Sequence, residues 1–186
     1  MSGAVPETFL DERSQVVLGL VARSVHDVPG DVLEVGVARG GSCARFAEAL
    51  PHKRIVAVDS FAGLRDYGEH DPDDRAVGFV PDESETRSAL AAYANVELVQ
   101  GFFPDPDVLA AIGDGPLALA HYDADLYEPA IAFFEHAWER LSPGGVLLVD
   151  DFGTGSHWTG VHRAFRDVFG RDPSLWSGRQ AVHVKS

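Results

Sequence analysis

Hydrophobic positions along the chain follow two periods. Short apolar runs, such as residues 32–35 and Leu117–Tyr122, are typical of strands buried on both faces of a parallel sheet. Between these runs, apolar side chains recur every three or four positions, as in segment 44–50, which indicates helices that pack on the sheet. The alternation of the two predicts an α/β fold with a Rossmann-like, doubly wound and mostly parallel sheet.

The pattern also predicts the bounds of the elements. Strands are expected at 32–35, 54–58, 96–100, 117–122 and 145–149, and helices at 9–25, 42–50, 84–93, 107–112, 129–141 and 161–169. Two further runs, 175–177 and 180–184, surround Gly178 and predict an antiparallel C-terminal hairpin. Segment 60–83 is rich in Asp, Gly and Pro and lacks a sustained period, which predicts a lid or acceptor loop, with a solvated acidic loop as the alternative. The length, 186 residues, predicts a single domain over 1–186.

Composition narrows the class of partner. The formal net charge of −14 argues against a nucleic-acid or anionic-membrane partner, because either would be repelled. The N-terminus lacks the basic and apolar blocks of a secretory signal, and no apolar run is long enough to span a bilayer. We therefore expect a cytoplasmic protein with a small-molecule partner.

A glycine-rich turn follows the first predicted strand. Gly36, Gly40 and Gly41 allow the backbone to turn sharply and a ligand to approach its amides, and Ser42 begins the next helix. The spacing is not G-x-G-x-x-G, which disfavours a nicotinamide cofactor and an oxidoreductase. Glu34, two residues before the first glycine, instead suits a cationic ligand such as S-adenosylmethionine (SAM).

Two more strand ends complete the predicted cofactor site. Asp59 ends the second strand, 23 residues after Gly36, where a carboxylate can accept hydrogen bonds from ribose hydroxyls, and Ser60 follows it. Gly101 and Phe102 leave the third strand at the same edge of the sheet. The phenylalanine could stack on adenine, although core packing is the commoner role.

Acidic residues follow the fourth and fifth strands. Asp123 and Asp125 come after one strand, and Asp150 and Asp151 come after the other. Carboxylates that converge raise each other's pKa unless a cation lies among them, and oxygen ligands suit Mg²⁺. We predict Asp123, Asp150 and Asp151 as metal ligands, with Asp123 also near the cofactor. Asp125 either caps the next helix or contacts the substrate.

A histidine or carboxylate beside a metal site can act as a general base. His157 lies on the loop after the predicted metal ligands and is the favoured candidate, with Asp150 as the alternative. His162 also follows the end of the fifth strand and could reach the same pocket, whereas His121 lies within the fourth strand and His70 lies in the acidic loop.

Six motifs together resemble a known family. EVGVARGGS, VDSFAGL, QGFFPD, YDADLYEP, LSPGGVLLVDDF and the final VHVK are similar to the metal-dependent sugar O-methyltransferases of macrolide biosynthesis, of the macrocin and mycinamicin type. More distantly they resemble catechol and caffeoyl-coenzyme A O-methyltransferases, and Ala38 replaces a glycine of the turn as in the catechol branch. The resemblance covers most of the chain from Gly30 onward.

The resemblance implies a SAM-dependent methyltransferase fold with Asp59 on the ribose and Asp123, Asp150 and Asp151 on Mg²⁺. It implies transfer of the SAM methyl group to a hydroxyl of a small molecule, such as a sugar with a vicinal diol, and it is compatible with a homo-oligomer. Two alternatives stay open: a noncatalytic SAM-binding module that acts through a partner protein, and a metal-independent N-methyltransferase.

Overall fold

A computed structural model of the chain describes residues 6–72, 79–153 and 157–186. Its strands are β1 (Asp31–Val35), β2 (Ile55–Asp59), β3 (Val96–Gln100), β4 (Leu117–Tyr122), β5 (Leu141–Val149), β6 (Leu175–Ser177) and β7 (Gln180–Val184). Its helices are α1 (Glu12–Ser24), α2 (Gly41–Ala49), α3 (Glu83–Leu90), α4 (Pro106–Ile112), α5 (Tyr127–Arg140) and α6 (Thr159–Phe169). No helix among the described residues is long and apolar enough to cross a membrane.

The strands form a seven-stranded sheet in the order β3-β2-β1-β4-β5-β7-β6. Strands β1 to β5 are parallel, and β7 pairs antiparallel with both β5 and β6. The predicted doubly wound sheet and its C-terminal hairpin are therefore confirmed. Strand order reverses between β1 and β4, and a crevice opens at such a point outside the carboxyl ends of the strands.

Both faces of the sheet are covered by helices. Leu33 and Val35 pack on one side with aromatic residues of α5 and α6, and Val32 packs on the other side with residues of α1 and α2. This explains why β1 is apolar on both faces rather than alternating. Each fully buried Leu or Phe stabilises the fold by roughly 1.5–3 kcal/mol, so the framework under the crevice is firmly held.

Several predicted bounds differ from the structure by up to four residues, among them the start of α1 at Glu12 instead of 9 and the end of α3 at Leu90 instead of 93. Strand β5 begins at Leu141 instead of 145, because its pairing shifts from Leu117↔Leu141 to Leu119↔Val146 and the Pro-Gly-Gly segment forms a bulge within the strand. Helix α5 begins at Tyr127, two residues before the proline that was expected to open it. Of the predicted 60–83 loop, residues 60–72 and 79–82 are described and contain neither helix nor strand, and 73–78 lie outside the described residues.

Candidate functional site

A cleft of about 570 Å³ lies at the carboxyl ends of the parallel strands. Its lining includes residues that follow each of β1 to β5, among them Gly36, Ser60, Gly101, Asp123 and Asp151. The N-terminal segment adds Phe9 and Leu10, the acidic loop adds residues 63–66, and Phe79, Pro81, Trp158 and Arg179 complete the wall. The strand ends that the sequence singled out therefore meet at one cavity.

The turn after β1 is held in place by the carboxylate of Asp59. Asp59 Oδ2 accepts hydrogen bonds from the backbone N–H groups of Val37 and Ala38, both at 2.9 Å, and its Oδ1 accepts one from Phe61 N–H at 2.9 Å. Burial raises the pKa of Asp59, and these amide hydrogen bonds oppose that rise. Asp59 thus faces the cleft while it orders the turns that follow β1 and β2.

Glycine is required at the first position of this turn. Gly36 has φ +94°, and a Cβ there would lie 2.0 Å from the backbone oxygen of Asp123. The other two glycines pack against the chain itself rather than the cleft: a Cβ at Gly40 would lie 3.0 Å from the Leu90 side chain, and one at Gly41 would lie 2.4 Å from the Glu7 oxygen. Gly40, Gly41 and the buried Ser42 do not line the cleft, contrary to expectation.

Glu34 also differs from the expectation. Its side chain is fully buried and its Oε1 lies 2.9 Å from Nδ1 of His121, which is equally buried. Glu34 shares a sheet face with Val32, so it points toward α2, where it raises the pKa of the Cys43 thiol in addition to the larger effect of burial. The structure therefore places Glu34 beneath the turn, away from a ligand in the cleft.

The residues that the sequence predicted at an adenine end lie together on one part of the cleft wall. Ser60, Gly101 and Phe102 all line it, and Ser60 Oγ donates a hydrogen bond to Gly63 O at 2.9 Å. The guanidinium of Arg65 lies 4.0 Å from the centre of the Phe102 ring. A ligand that stacks on Phe102 would therefore use the opposite face of the ring.

The acidic residues converge at the other end of the cleft. Among the described residues, Asp123, Asp125 and Asp151 each offer a carboxylate oxygen, and these atoms lie within 4.8 Å of one another. Asp125 reaches this group because its backbone is left-handed (φ +68°), as is that of Asp151 (φ +54°). Asp150, a predicted ligand, lies outside this group of three and is buried beside it.

The converging charges change the acidity of the cluster. Burial raises the pKa of Asp123 well above its usual value, and the carboxylates of Asp150 and Asp125 raise it further. The pKa of Asp125 rises in the same way through burial and Asp151. The pKa of Asp150 is raised chiefly by burial, with Arg179 opposing the rise. Such a group of carboxylates can hold a cation or accept a proton.

Arg179 is the residue of the site that sequence reasoning missed. It follows Gly178 at the tip of the β6–β7 hairpin, and its Nη2 lies 2.9 Å from Asp150 Oδ2 and 2.6 Å from Asp151 Oδ1. The predicted hairpin beside β5 was the available signal, since a hairpin on the neighbouring strand brings its tip close to the carboxyl end of β5.

The histidines do not reach the cleft. His157, the predicted base, is exposed and does not line the cavity, whereas the neighbouring Trp158 does. His162 packs on the ring of Phe152, His70 packs on Tyr127, and His121 is buried with Glu34. The structure thus brings Asp125, rather than a histidine, to the acidic end of the cleft.

Comparison with known proteins finds relatives over most of the chain. The family model described as Macrocin-O-methyltransferase (TylF) matches residues 15–172. A tetracenomycin-sugar relative from Streptomyces olivaceus, the 8-demethyl-8-(2,3-dimethoxy-alpha-L-rhamnosyl)-tetracenomycin-C 4'-O-methyltransferase, is 33% identical and the match covers 73% of this chain and 58% of that protein. Mycinamicin III 3''-O-methyltransferase of Micromonospora griseorubida is 30% identical, over 84% of this chain and 68% of that protein.

Solved structures show the same fold. The O-methyltransferase NovP superposes with a TM-score of 0.80 at 24% identity, over 96% of this chain and 82% of that one. The calicheamicin methyltransferase CalS11 superposes with a TM-score of 0.78 at 27% identity, over 95% and 81%. The chain spans 58% and 54% of the first two curated relatives that it matches. Because the family model covers residues 15–172, the chain belongs to the macrocin O-methyltransferase (TylF) family.

Proposed function

We propose that this protein transfers the methyl group of SAM to a hydroxyl of a small natural-product intermediate, a sugar with a vicinal diol, with the help of a divalent cation such as Mg²⁺. The observation that carries the proposal is the meeting of three carboxylates, Asp123, Asp125 and Asp151, at the floor of the cleft that Gly36 and Asp59 also line. Membership of an O-methyltransferase family supports the reaction. Relatives named for sugar methylation, including mycinamicin III 3''-O-methyltransferase, support the acceptor class.

The cleft suits the nucleoside part of SAM. Gly36 keeps the first turn free of a side chain, Asp59 and Ser60 present oxygens at the neighbouring strand end, and Gly101 and Phe102 border the adenine end. Because Glu34 is occupied by His121, the amine of SAM would have to find another partner in the cleft. Asp123 lies next to Gly36 and connects the cofactor region with the acidic end.

The acidic end suits a hard cation. Its donors are all carboxylate oxygens, and the pKa values of Asp123 and Asp125 are raised first by burial and then by repulsion between carboxylates, which a cation would relieve. Asp123 and Asp151 would hold the ion, with Asp150 as a third ligand. When bound, SAM supplies the methyl group, and a divalent cation supplies positive charge that lowers the pKa of a hydroxyl beside it.

Asp125 is the side chain that we assign to the acceptor proton. It lines the cleft within the carboxylate group, whereas His157 is exposed outside the lining and Asp150 is buried and paired with Arg179. A carboxylate at this position can orient the hydroxyl and accept its proton as the methyl group is transferred. Leu10, Arg65 and Phe79 also line the cleft, and the described parts of the predicted 60–83 loop, residues 60–72 and 79–82, would border the acceptor.

The test is calorimetric titration of SAM, with and without Mg²⁺, combined with detection of S-adenosylhomocysteine after incubation with a panel of glycosides and catechols. We expect SAM to bind and turnover with a vicinal diol to require Mg²⁺ and to stop in EDTA. Asp123→Asn and Asp151→Asn should lower turnover by at least about 100-fold. Asp27→Asn, which removes a carboxylate that is 98% exposed, is the matched control and should leave turnover unchanged.

Each other outcome has a definite meaning. Methyl transfer that persists in EDTA would overturn the metal requirement and favour a metal-independent enzyme, including an N-methyltransferase if amines are the acceptors. SAM binding without turnover on any acceptor of the panel would favour the noncatalytic module. Absence of SAM binding would overturn the proposal as a whole.

A further inference from the structure

The carboxylates of the acidic end already have a positively charged partner within the chain. Arg179 extends from the hairpin tip, and its backbone oxygen accepts a hydrogen bond from Phe152 N–H at 2.8 Å, next to Asp151. Its guanidinium bridges Asp150 Oδ2 at 2.9 Å and Asp151 Oδ1 at 2.6 Å. The hairpin therefore delivers one cation to two of the three predicted metal ligands.

The two carboxylates are much less exposed than the arginine that bridges them. The side chain of Asp150 is 0% exposed and that of Asp151 is 10% exposed, whereas that of Arg179 is 40% exposed. The carboxylates are thus fixed in the floor, and the guanidinium approaches from the open side of the cleft. The guanidinium of Arg179 can therefore move away while the side chains of Asp150 and Asp151 keep their positions.

The site needs a nearby positive charge whenever its carboxylates are ionised. Buried carboxylates without a cation are costly, and removing one partner of a buried ion pair is strongly destabilising. Asp150 is buried, and the guanidinium of Arg179 lies 2.9 Å from its Oδ2, so the ionised form of Asp150 is stabilised by this cation. Arg65, the other arginine of the cleft wall, is paired with Asp66 and Asp105 and lies over Phe102.

We propose that Arg179 is a built-in counter-cation that competes with the divalent ion for Asp150 and Asp151 and must leave them before the ion is fully bound. This inference rests on the metal site of the proposed function. Because the guanidinium contacts one oxygen of each of two carboxylates that would bind the ion, it lowers metal affinity while it stabilises the metal-free protein. Arg179 thereby sets the concentration of divalent cation at which the metal site becomes occupied.

The test compares Mn²⁺ binding, by calorimetry and by the electron paramagnetic resonance of free Mn²⁺, in the wild type and in Arg179→Gln, without SAM. We expect Arg179→Gln to bind Mn²⁺ at least about tenfold more tightly, because no ion pair has to be broken. Its unfolding temperature in EDTA should be lower than that of the wild type and should recover when Mn²⁺ is added. Arg163→Gln removes the same charge from a surface pair with Asp167 and should change neither measurement.

A second measurement does not depend on the stability of the variant. In the wild type, the Nε–H nuclear magnetic resonance signal of Arg179, assigned by its loss in Arg179→Lys, should shift as Mg²⁺ is added. The signal of Arg45, a residue of α2 whose guanidinium donates to Gln15 Oε1 at 2.8 Å away from the cleft lining, should not shift. Unchanged or weaker Mn²⁺ binding in Arg179→Gln, or Mg²⁺ binding that leaves the Arg179 signal in place, would overturn the competition and leave the metal site intact. If neither the wild type nor Arg179→Gln binds Mn²⁺, the metal part of the proposed function fails and this inference fails with it.

Discussion

At the scale of single residues, left-handed backbone positions shape the cleft. Asp66, Asp125 and Asp151 have φ values of +60°, +68° and +54°, and all three line the cavity. This conformation costs roughly 1 kcal/mol or more for a residue with a Cβ, and Asp is among the few types that tolerate it. Asp125 adopts this conformation just after strand β4 ends at Tyr122, and one of its carboxylate oxygens lies within 4.8 Å of one from each of Asp123 and Asp151.

Replacing Asp125 by Asn tests its role at this scale. Asn keeps the shape and tolerates the left-handed conformation but cannot accept a proton, so kcat for the acceptor should fall by about 100-fold or more. The dissociation constant of SAM, measured by calorimetry, should stay within about threefold of the wild type because the nucleoside end is unchanged.

The matched control for this variant is Asp66→Asn. Asp66 has the same backbone conformation and lines the same cleft, but it is paired with Arg65 away from the carboxylate group. We expect its kcat to be close to that of the wild type. A normal kcat in Asp125→Asn would remove Asp125 from proton transfer and return that role to His157 or Asp150.

At the scale of elements, the loop before α3 is anchored to the first turn of α5. Asp71 Oδ1 accepts a hydrogen bond from Tyr127 N–H at 2.8 Å, and its Oδ2 accepts one from Gly68 N–H at 2.8 Å. Helix α5 has no side-chain hydrogen bond from its own N-cap, Leu126, so a residue 56 positions earlier supplies it. This contact connects the loop that borders the cleft to the helix that follows the acidic turn.

Replacing Asp71 by Ala should release this anchor. Loss of the two hydrogen bonds should lower the free energy of unfolding by about 1–2 kcal/mol, measured by urea denaturation. It should also raise the KM for the acceptor while SAM binding is unchanged, because residues 63–66, which line the cleft, belong to the same loop as Asp71.

Asp82→Ala provides the comparison for Asp71→Ala. Asp82 accepts a hydrogen bond from Glu85 N–H at 3.0 Å and caps α3, so its loss should lower stability by a similar amount without changing the acceptor KM. Equal KM values in the two variants would mean that the loop keeps its place over the cleft without Asp71.

At the scale of the whole molecule, pH acts on stability through buried groups outside the cleft as well as within it. His183 of β7 is buried against Trp138, Phe165 and Phe169, and its Nδ1 accepts a hydrogen bond from Ser174 N–H at 3.1 Å. Burial, with a smaller contribution from Arg171, lowers its pKa from 6.5 to about 4. The folded protein therefore favours the neutral imidazole more strongly than the unfolded chain does.

The sign of the pH effect follows from this pKa. Neutral His183 contributes fully to the free energy of unfolding above pH 6.5. This contribution, up to roughly 3 kcal/mol, is lost as the pH falls from 6.5 to about 4. His183→Asn keeps an acceptor near Ser174 N–H but does not titrate, so its unfolding free energy should fall less between pH 7 and pH 4.5. In the control His52→Asn, at an exposed position, the unfolding free energy should fall with pH as much as in the wild type. If it also falls as much in His183→Asn, protonation of His183 does not cause the loss of stability.

Much of the architecture and the location of the site followed from local sequence patterns. Hydrophobic period and turn residues predicted every strand and helix among the described residues to within a few positions, because burial on a two-sided sheet dictates them. Since parallel strands end at one edge, the order of elements alone predicts that Asp59, Asp123 and Asp151 lie near one another, and all three line the cleft.

Only the tertiary structure decided which polar side chains near the strand ends face the cleft and which are buried beneath it. Glu34 turns inward because His121, 87 residues away in the chain, meets it on the buried face of the sheet. Arg179 joins Asp151 across 28 residues because β7 pairs with β5, and Asp125 joins the carboxylate group through one left-handed residue. Hydrophobic periodicity reports which face of an element is buried, whereas the partner of a polar side chain depends on which distant segment packs there.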